Sequence, residues 1–186
     1  MVKRILINSI LFQGVWWVAV QGNNTLAVAA LAVYFLLQAS FLPRNALFWG
    51  FCFCGGVAGW LLDSALAHSN IIHYQTAISV FGVQDLLAPV WLLCIWLAFM
   101  PLLLFGLRWL MPHLLLAALL GFALAPLSYI GGAKFANASL NLSLPIYYLV
   151  EGVVWALVLP GFLSVAAKVE RAMKSRRLVV GEETNA

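Results

Sequence analysis

Six long apolar runs, separated by short polar breaks, limit what this chain can fold into more than any other feature. A helix needs about 20 apolar residues to cross a bilayer, at a rise of about 1.5 Å per residue. Backbone groups in hydrocarbon must pair within their own segment, so the runs are predicted to be helices and not open strands. They cover residues 5–21, 25–42, 46–67, 87–107, 112–131 and 144–167, and residues 68–86 form the one longer connection between them.

The composition leads to the same class of protein. The 186 residues are 65% hydrophobic and 9% charged, whereas soluble domains are roughly half apolar and a quarter charged. A soluble fold cannot bury this much apolar surface. We therefore predict an all-α, polytopic membrane helix bundle of six transmembrane helices at residues 1–168. A basic C-terminal tail, partly disordered, is predicted at residues 169–186.

The distribution of basic residues predicts the orientation. The chain has ten Lys and Arg residues. If the N-terminus is inside, all of them except Lys134 fall in inner segments. Cytoplasmic segments of helical membrane proteins carry this excess of Lys and Arg. We predict that both termini, and the tail, are cytoplasmic and that the chain is a multi-pass protein of a bacterial cell inner membrane. The net charge of +4 then reflects orientation, so no nucleic-acid partner is predicted.

Charged residues near the outer ends of the spans are the candidates for a site. Asp63 lies near the end of the third span, Glu151 about two turns into the sixth, and Lys134 closes the fifth. An ionised side chain at the bilayer centre costs about 2.5–3.5 kcal/mol on insertion scales. These residues could line an outward-facing polar cavity, with Lys134 as partner of the carboxylates and Asp85 at the mouth. Alternatively, they only make polar contacts that hold neighbouring helices together near the surface. Both interpretations stay open.

Small residues indicate which helix faces pack together. Gly55, Gly59 and Asp63 recur every four residues and share one face of the third span. A Gly-x-x-x-Gly pattern lets a neighbouring helix approach closely, so Asp63 is predicted to be buried against protein. In the fifth span, the small residues Gly121, Ala125 and Ser128 are likewise predicted to face a neighbouring helix.

No motif of a known reaction accompanies these residues. The sequence contains no GxSxG, no HExxH and no P-loop. We predict no cofactor and no metal site, and leave open whether the chain is an enzyme.

Three functions compete. The favoured one is a non-catalytic membrane subunit that binds membrane lipid or a membrane-protein partner. A small transporter or channel would need the charged residues to line a path. A membrane-embedded lipid-modifying enzyme would use Asp63 or Glu151 as acid or base.

The order of several sequence features resembles one known family. These features are NSILFQGVWW, GGVAGWLLDS, LAPVWLLCIWLAF, GFALAPLSYIGG and the glutamate of LVEGVVW. Over residues 6–168 the chain resembles an uncharacterised family of small multi-pass bacterial inner-membrane proteins, classified as a domain of unknown function. The resemblance implies a membrane bundle and supplies no activity.

Overall fold

Six α-helices form the body of the protein in a computed structural model that describes residues 2–80, 83–136 and 138–183. They are α1 (Val2–Ala19), α2 (Asn24–Gln38), α3 (Ala46–His68), α4 (Val90–Leu104), α5 (Leu114–Phe135) and α6 (Leu144–Glu183). The helices run alternately up and down. We call the end of the bundle where α1 begins and α6 ends the termini end; α3 and α5 also begin there. Helices α2, α4 and α6 begin at the opposite end, which we call the strand end because the short strands described below lie there.

Three helices, α3, α5 and α6, are long and apolar enough to cross a membrane. The apolar parts of the other three are shorter, at Arg4–Ala19, Asn24–Gln38 and Val90–Leu104. A 15-residue helix such as α2 rises about 22 Å, which is less than a hydrocarbon core of about 30 Å. Two of the predicted spans are shortened by turns. Helix α2 ends at Gln38, before Pro43, and α4 begins at Val90, after Pro89. The ring nitrogen of a proline cannot donate a backbone hydrogen bond.

The connection predicted at residues 68–86 contains strands, so the prediction of a purely helical fold is incomplete. Here β1 (Ile72–His73) pairs with β4 (Ser139–Leu140), and β2 (Ile78–Val80) pairs with β3 (Val83–Leu87), both antiparallel. Backbone groups outside helices need partners of their own, and these ladders supply them. Because β3 extends to Leu87, the fourth helix begins at Val90 and not at residue 87. We call β1–β4 and their connections the strand cap.

The last helix extends into the segment predicted as a tail. The sequence predicts the end of the bundle at residue 168, but α6 continues without interruption to Glu183. Beyond the predicted boundary, Glu170 accepts hydrogen bonds from Arg108 and pairs with Lys174. The first part of the predicted tail is thus helical, while residues 184–186 lie outside the described residues.

Helix α4 occupies the centre of the bundle, where it packs against α1, α2, α3 and α6. Its contact with α3 is made through glycines: Gly55 faces Met100, Gly56 faces Leu97 and Gly59 faces the Trp96 ring. A Cβ atom on Gly56 would lie 2.6 Å from Leu97 Cδ2, so a larger residue there would separate the helices.

Helix α5 packs chiefly on α6. A Cβ atom on Gly121 would lie 2.5 Å from the backbone oxygen of Trp155, so α5 and α6 approach backbone to backbone at this point. Helix α5 has no comparable packing contact with the central helix α4 among the described residues, and a cavity lies between these two helices.

Candidate functional site: a buried carboxyl cluster beside an apolar cavity

Asp63 is buried in the protein, with 1% of its surface exposed. Its two carboxyl oxygens each accept a hydrogen bond. Trp96 Nε1 donates to Oδ2 at 2.5 Å, and the Tyr129 hydroxyl donates to Oδ1 at 2.8 Å. Trp96 reaches Asp63 because the glycine face of α3 lies against α4, and Asp63 continues that face one turn beyond Gly59. The carboxyl group therefore joins α3, α4 and α5.

Glu151 is equally buried, with 1% exposure, but neither of its carboxyl oxygens has a hydrogen-bond partner among the described residues. Tyr147 lies one turn earlier on the same face of α6, with its hydroxyl close enough to interact with the Glu151 carboxyl group, although no short, well-aligned hydrogen bond joins them. Asp63 is close enough for its charge to interact with that of Glu151. The two carboxyl groups thus lie in one buried cluster.

The strand cap contributes a third polar side chain to this cluster. Tyr74 is 3% exposed, its hydroxyl has no hydrogen-bond partner in the described part of the chain, and it interacts electrostatically with Asp63, Tyr147 and Glu151. We call Asp63, Glu151, Tyr74, Tyr129 and Tyr147 the carboxyl cluster. It lies in the half of the bundle nearer the strand end.

The other predicted site residues lie elsewhere. Lys134 is exposed near the end of α5 and makes no ion pair with either carboxyl group in the described structure, so the partner expected for them is not there. A long amine at a helix end reaches water readily, and a C-terminal cation is favourable to the helix dipole. Asp85 lies in β3, and its side chain is outside the described residues.

An apolar cavity of about 500 Å³ adjoins the carboxyl cluster. It lies between α1, α4, α5 and α6, in the space that α5 leaves beside the central helix. Its lining includes Phe12, Trp91, Phe99, Leu110, Leu120 and Trp155. No charged side chain lines it in the described part of the chain. Ligand pockets in proteins measure roughly 300–1,000 Å³ and are mostly apolar, so this cavity has the size and character of a binding site.

The cavity opens at the side of the bundle. Three residues line the cavity and are also exposed: Gln13 on α1, and Leu124 and Ser128 on α5. Towards the strand end the two helices touch, with the Trp17 and Phe135 rings 5.5 Å apart. Towards the termini end the cavity is lined by Leu107 and Leu110. The cavity therefore has a lateral window between α1 and α5, and at the termini end Trp109, which also lines it, is 56% exposed. Ala125 and Ser128, predicted as packing residues, lie at this window.

The carboxyl cluster and the cavity share a wall. Trp96, Tyr129 and Tyr74 all line the cavity and all belong to, or bond to, the cluster. Trp155 stacks on Trp96 with ring centroids 5.3 Å apart and planes at 7°. By bonding to Trp96 and Tyr129, Asp63 fixes the orientation of two of the aromatic rings that a ligand in the cavity would touch.

Sequence reasoning overlooked Trp96, Tyr129 and Tyr74 as site residues. Aromatic residues are common in spans, and nothing in their spacing distinguishes these three from the lipid-facing ones. One clue was available on α6. Tyr147, Glu151 and Trp155 recur every four residues, so the two aromatic side chains lie on the same helix face as the Glu151 carboxyl group.

Comparison with known proteins gives a family but no activity. No curated protein matches the chain, and no solved structure matches it. Among the described residues no group of three or more His, Cys, Asp or Glu residues could hold a metal ion. One family model, described as a protein of unknown function, matches residues 5–161, most of the chain, and bears out the resemblance seen in the sequence. The chain therefore belongs to DUF2878, a family of proteins of unknown function.

Proposed function

We propose that this chain is a non-catalytic, multi-pass inner-membrane protein of bacteria whose cavity binds the apolar chain of a lipid. The observation that carries the proposal is the cavity of about 500 Å³, which is lined by aromatic and aliphatic side chains. Its window opens between α1 and α5 at the level where a surrounding bilayer would present acyl chains. A lipid chain could thus enter from the side without passing through water.

The same geometry favours binding over transport. A path for polar solutes needs polar groups through the whole depth of the bundle. The termini half of the cavity is lined mainly by apolar side chains such as Phe12, Leu107 and Leu110, and Trp109 and Gln13 supply the few polar groups there. Acid or base catalysis by Asp63 is also less well supported, because both of its oxygens already accept hydrogen bonds from Trp96 and Tyr129.

The proposal is tested by filling the cavity. Ala125→Trp places an indole in the cavity wall, while Leu127→Trp places the same side chain on the same helix at an exposed position, 56% exposed, outside the cavity. The protein is purified in an uncharged detergent, depleted of lipid and mixed with oleyl alcohol, and bound adducts are counted by native mass spectrometry.

Wild type and Leu127→Trp are expected to bind oleyl alcohol in a defined ratio, and Ala125→Trp to bind at least about tenfold more weakly, a loss of about 1.4 kcal/mol. Equal binding by the two tryptophan variants would mean that oleyl alcohol binds outside the cavity, and the proposed function would be wrong.

The proposal includes a topology in which all six helices cross the membrane and both termini face the cytoplasm. Arg4, Arg44, Arg108 and Lys174 lie towards the termini end, as the excess of basic residues on the cytoplasmic side requires. Reporter fusions after residues 44, 110 and 180 are expected to report cytoplasm, and fusions near residues 22, 76 and 138 to report periplasm. A periplasmic C-terminus would contradict both the number of spans and the orientation.

A further inference from the structure

We infer that the cavity selects amphiphiles with a positively charged headgroup, an ammonium group held against the carboxyl cluster. The inference rests on the proposed function and names the class of ligand. It starts from the shared wall, where Trp96, Tyr129 and Tyr74 separate the cavity from Asp63 and Glu151.

The aromatic lining of the cavity is suited to a cation. The cavity is walled by six Trp and Tyr side chains at the strand half and centre of the bundle: Trp16, Tyr74, Trp91, Trp96, Tyr129 and Trp155. The face of an aromatic ring carries negative electrostatic potential, and cages of such rings bind ammonium groups in many proteins. A long apolar chain alone would be accommodated equally well by aliphatic residues, so the aromatic side chains favour a headgroup with positive charge.

Two carboxyl groups lie behind this wall, and each would make the potential more negative when ionised, a form that a neighbouring cation favours. Asp63 and Glu151 are both buried, and neither makes an ion pair with a Lys or Arg side chain in the described part of the chain. Buried charges in proteins are normally paired. A monovalent ammonium group in the adjoining cavity would bring the positive charge that this cluster lacks.

The unpaired polar atoms of the cluster also match an ammonium group. The Glu151 carboxyl group and the hydroxyls of Tyr74 and Tyr147 make no short, well-aligned hydrogen bond among the described residues, although such groups are nearly always paired in native proteins; the closest partner of Glu151 is Tyr147, within the cluster itself. A primary ammonium offers three donors and no acceptor, which suits a set dominated by acceptors. Tyr74 connects the two regions, because its side chain lines the cavity and interacts with Glu151.

The experiment compares three probes that share one chain: oleylamine, oleyl alcohol and oleate. Dissociation constants are measured at neutral pH for the full-length protein in an uncharged detergent, from the change in tryptophan fluorescence. Oleylamine is expected to bind about tenfold more tightly than oleyl alcohol, because cation–π contacts and a nearby carboxylate both favour the cation. Oleate is expected to bind most weakly.

Glu151→Gln keeps the shape of the side chain and removes its charge. This variant is expected to lose most of the preference for oleylamine, and its circular-dichroism spectrum and unfolding midpoint in detergent show that it has folded. Glu170→Gln is the matched control: it makes the same change on the same helix, in the ion pairs with Arg108 and Lys174, and is expected to keep the preference.

Three results would overturn the inference: equal affinities for oleylamine and oleyl alcohol, tighter binding of oleate, or an undiminished preference for oleylamine in Glu151→Gln. If oleyl alcohol binding remains sensitive to Ala125→Trp in those cases, the proposed function stands and only the selectivity is wrong. If none of the three probes binds in the cavity, both are wrong.

Discussion

Two buried polar clusters of this protein differ in how well their atoms are paired. In the first, which joins α1 and α2 to the central helix, Asn8 Nδ2 donates to the Tyr34 hydroxyl and to Gln38 Oε1, each at 2.8 Å. The Tyr34 hydroxyl donates in turn to the backbone oxygen of Ala98 at 3.1 Å. The second is the carboxyl cluster, in which Glu151, Tyr74 and Tyr147 lack partners.

The difference separates structural polar residues from candidate binding residues. The first cluster, which we call the amide network, contains no carboxyl group, and its side chains do not line the cavity beside Trp96; in the described part of the chain, Asn8 Oδ1 is its one unpaired side-chain atom. Its side chains hold helices together. The carboxyl cluster carries two acids and unpaired oxygens, and it shares a wall with the cavity. Unpaired buried polar groups are costly, so their retention beside a cavity is better explained by a ligand than by stability.

The largest expected effect comes from Gly59→Leu, which would break the α3–α4 contact on which the carboxyl cluster depends. The new side chain would overlap the Trp96 ring, which is held by Asp63 and by stacking on Trp155. We expect a loss of about 3 kcal/mol of stability, the upper range for overpacking, measured by unfolding in detergent. Leu61→Ala, at a position 48% exposed on the same helix, is the control and should change stability much less. Similar stabilities for the two variants would show that the glycine face is not closely packed.

A smaller loss is expected when the amide network is broken by Tyr34→Phe. The hydroxyl connects Asn8 to Ala98, and interhelical hydrogen bonds of this kind contribute about 0.6–1.7 kcal/mol. Unfolding midpoints in detergent measure the loss, and the affinity for oleyl alcohol should stay at the wild-type value. A change in that affinity with unchanged stability would reverse the roles assigned to the two clusters.

The smallest effect, of opposite sign, is expected for Glu151→Gln without ligand. Removing an unpaired buried carboxyl group leaves no partner stranded, and the amide can donate to nearby hydroxyls. We therefore expect stability to stay constant or rise by up to about 1 kcal/mol. If the same unfolding assay showed a loss larger than that of Tyr34→Phe, Glu151 would be a structural residue like those of the amide network.

Sequence patterns predicted the helices, but they did not predict which side chains contact the buried carboxyl groups. The six helices follow from apolar length, and the burial of Asp63 follows from its phase with Gly55 and Gly59. The expected pairing with Lys134 does not follow from depth alone, because a side chain at the right depth can point around the helix in any direction. Only the rotation of α5 about its axis decides that Tyr129, and not Lys134, meets Asp63.

The sequence by itself determined that the chain forms apolar helices, three of them long enough to cross a membrane, and which face of α3 carries the carboxylate. These are local properties, set by hydropathy and by the 3.6-residue helical repeat. Tertiary structure decided the rest: the strand cap that brings Tyr74 inward, the stacking of Trp155 on Trp96, and the cavity left between α4 and α5. Each depends on distances between segments far apart in the chain, which close packing sets and local patterns do not encode.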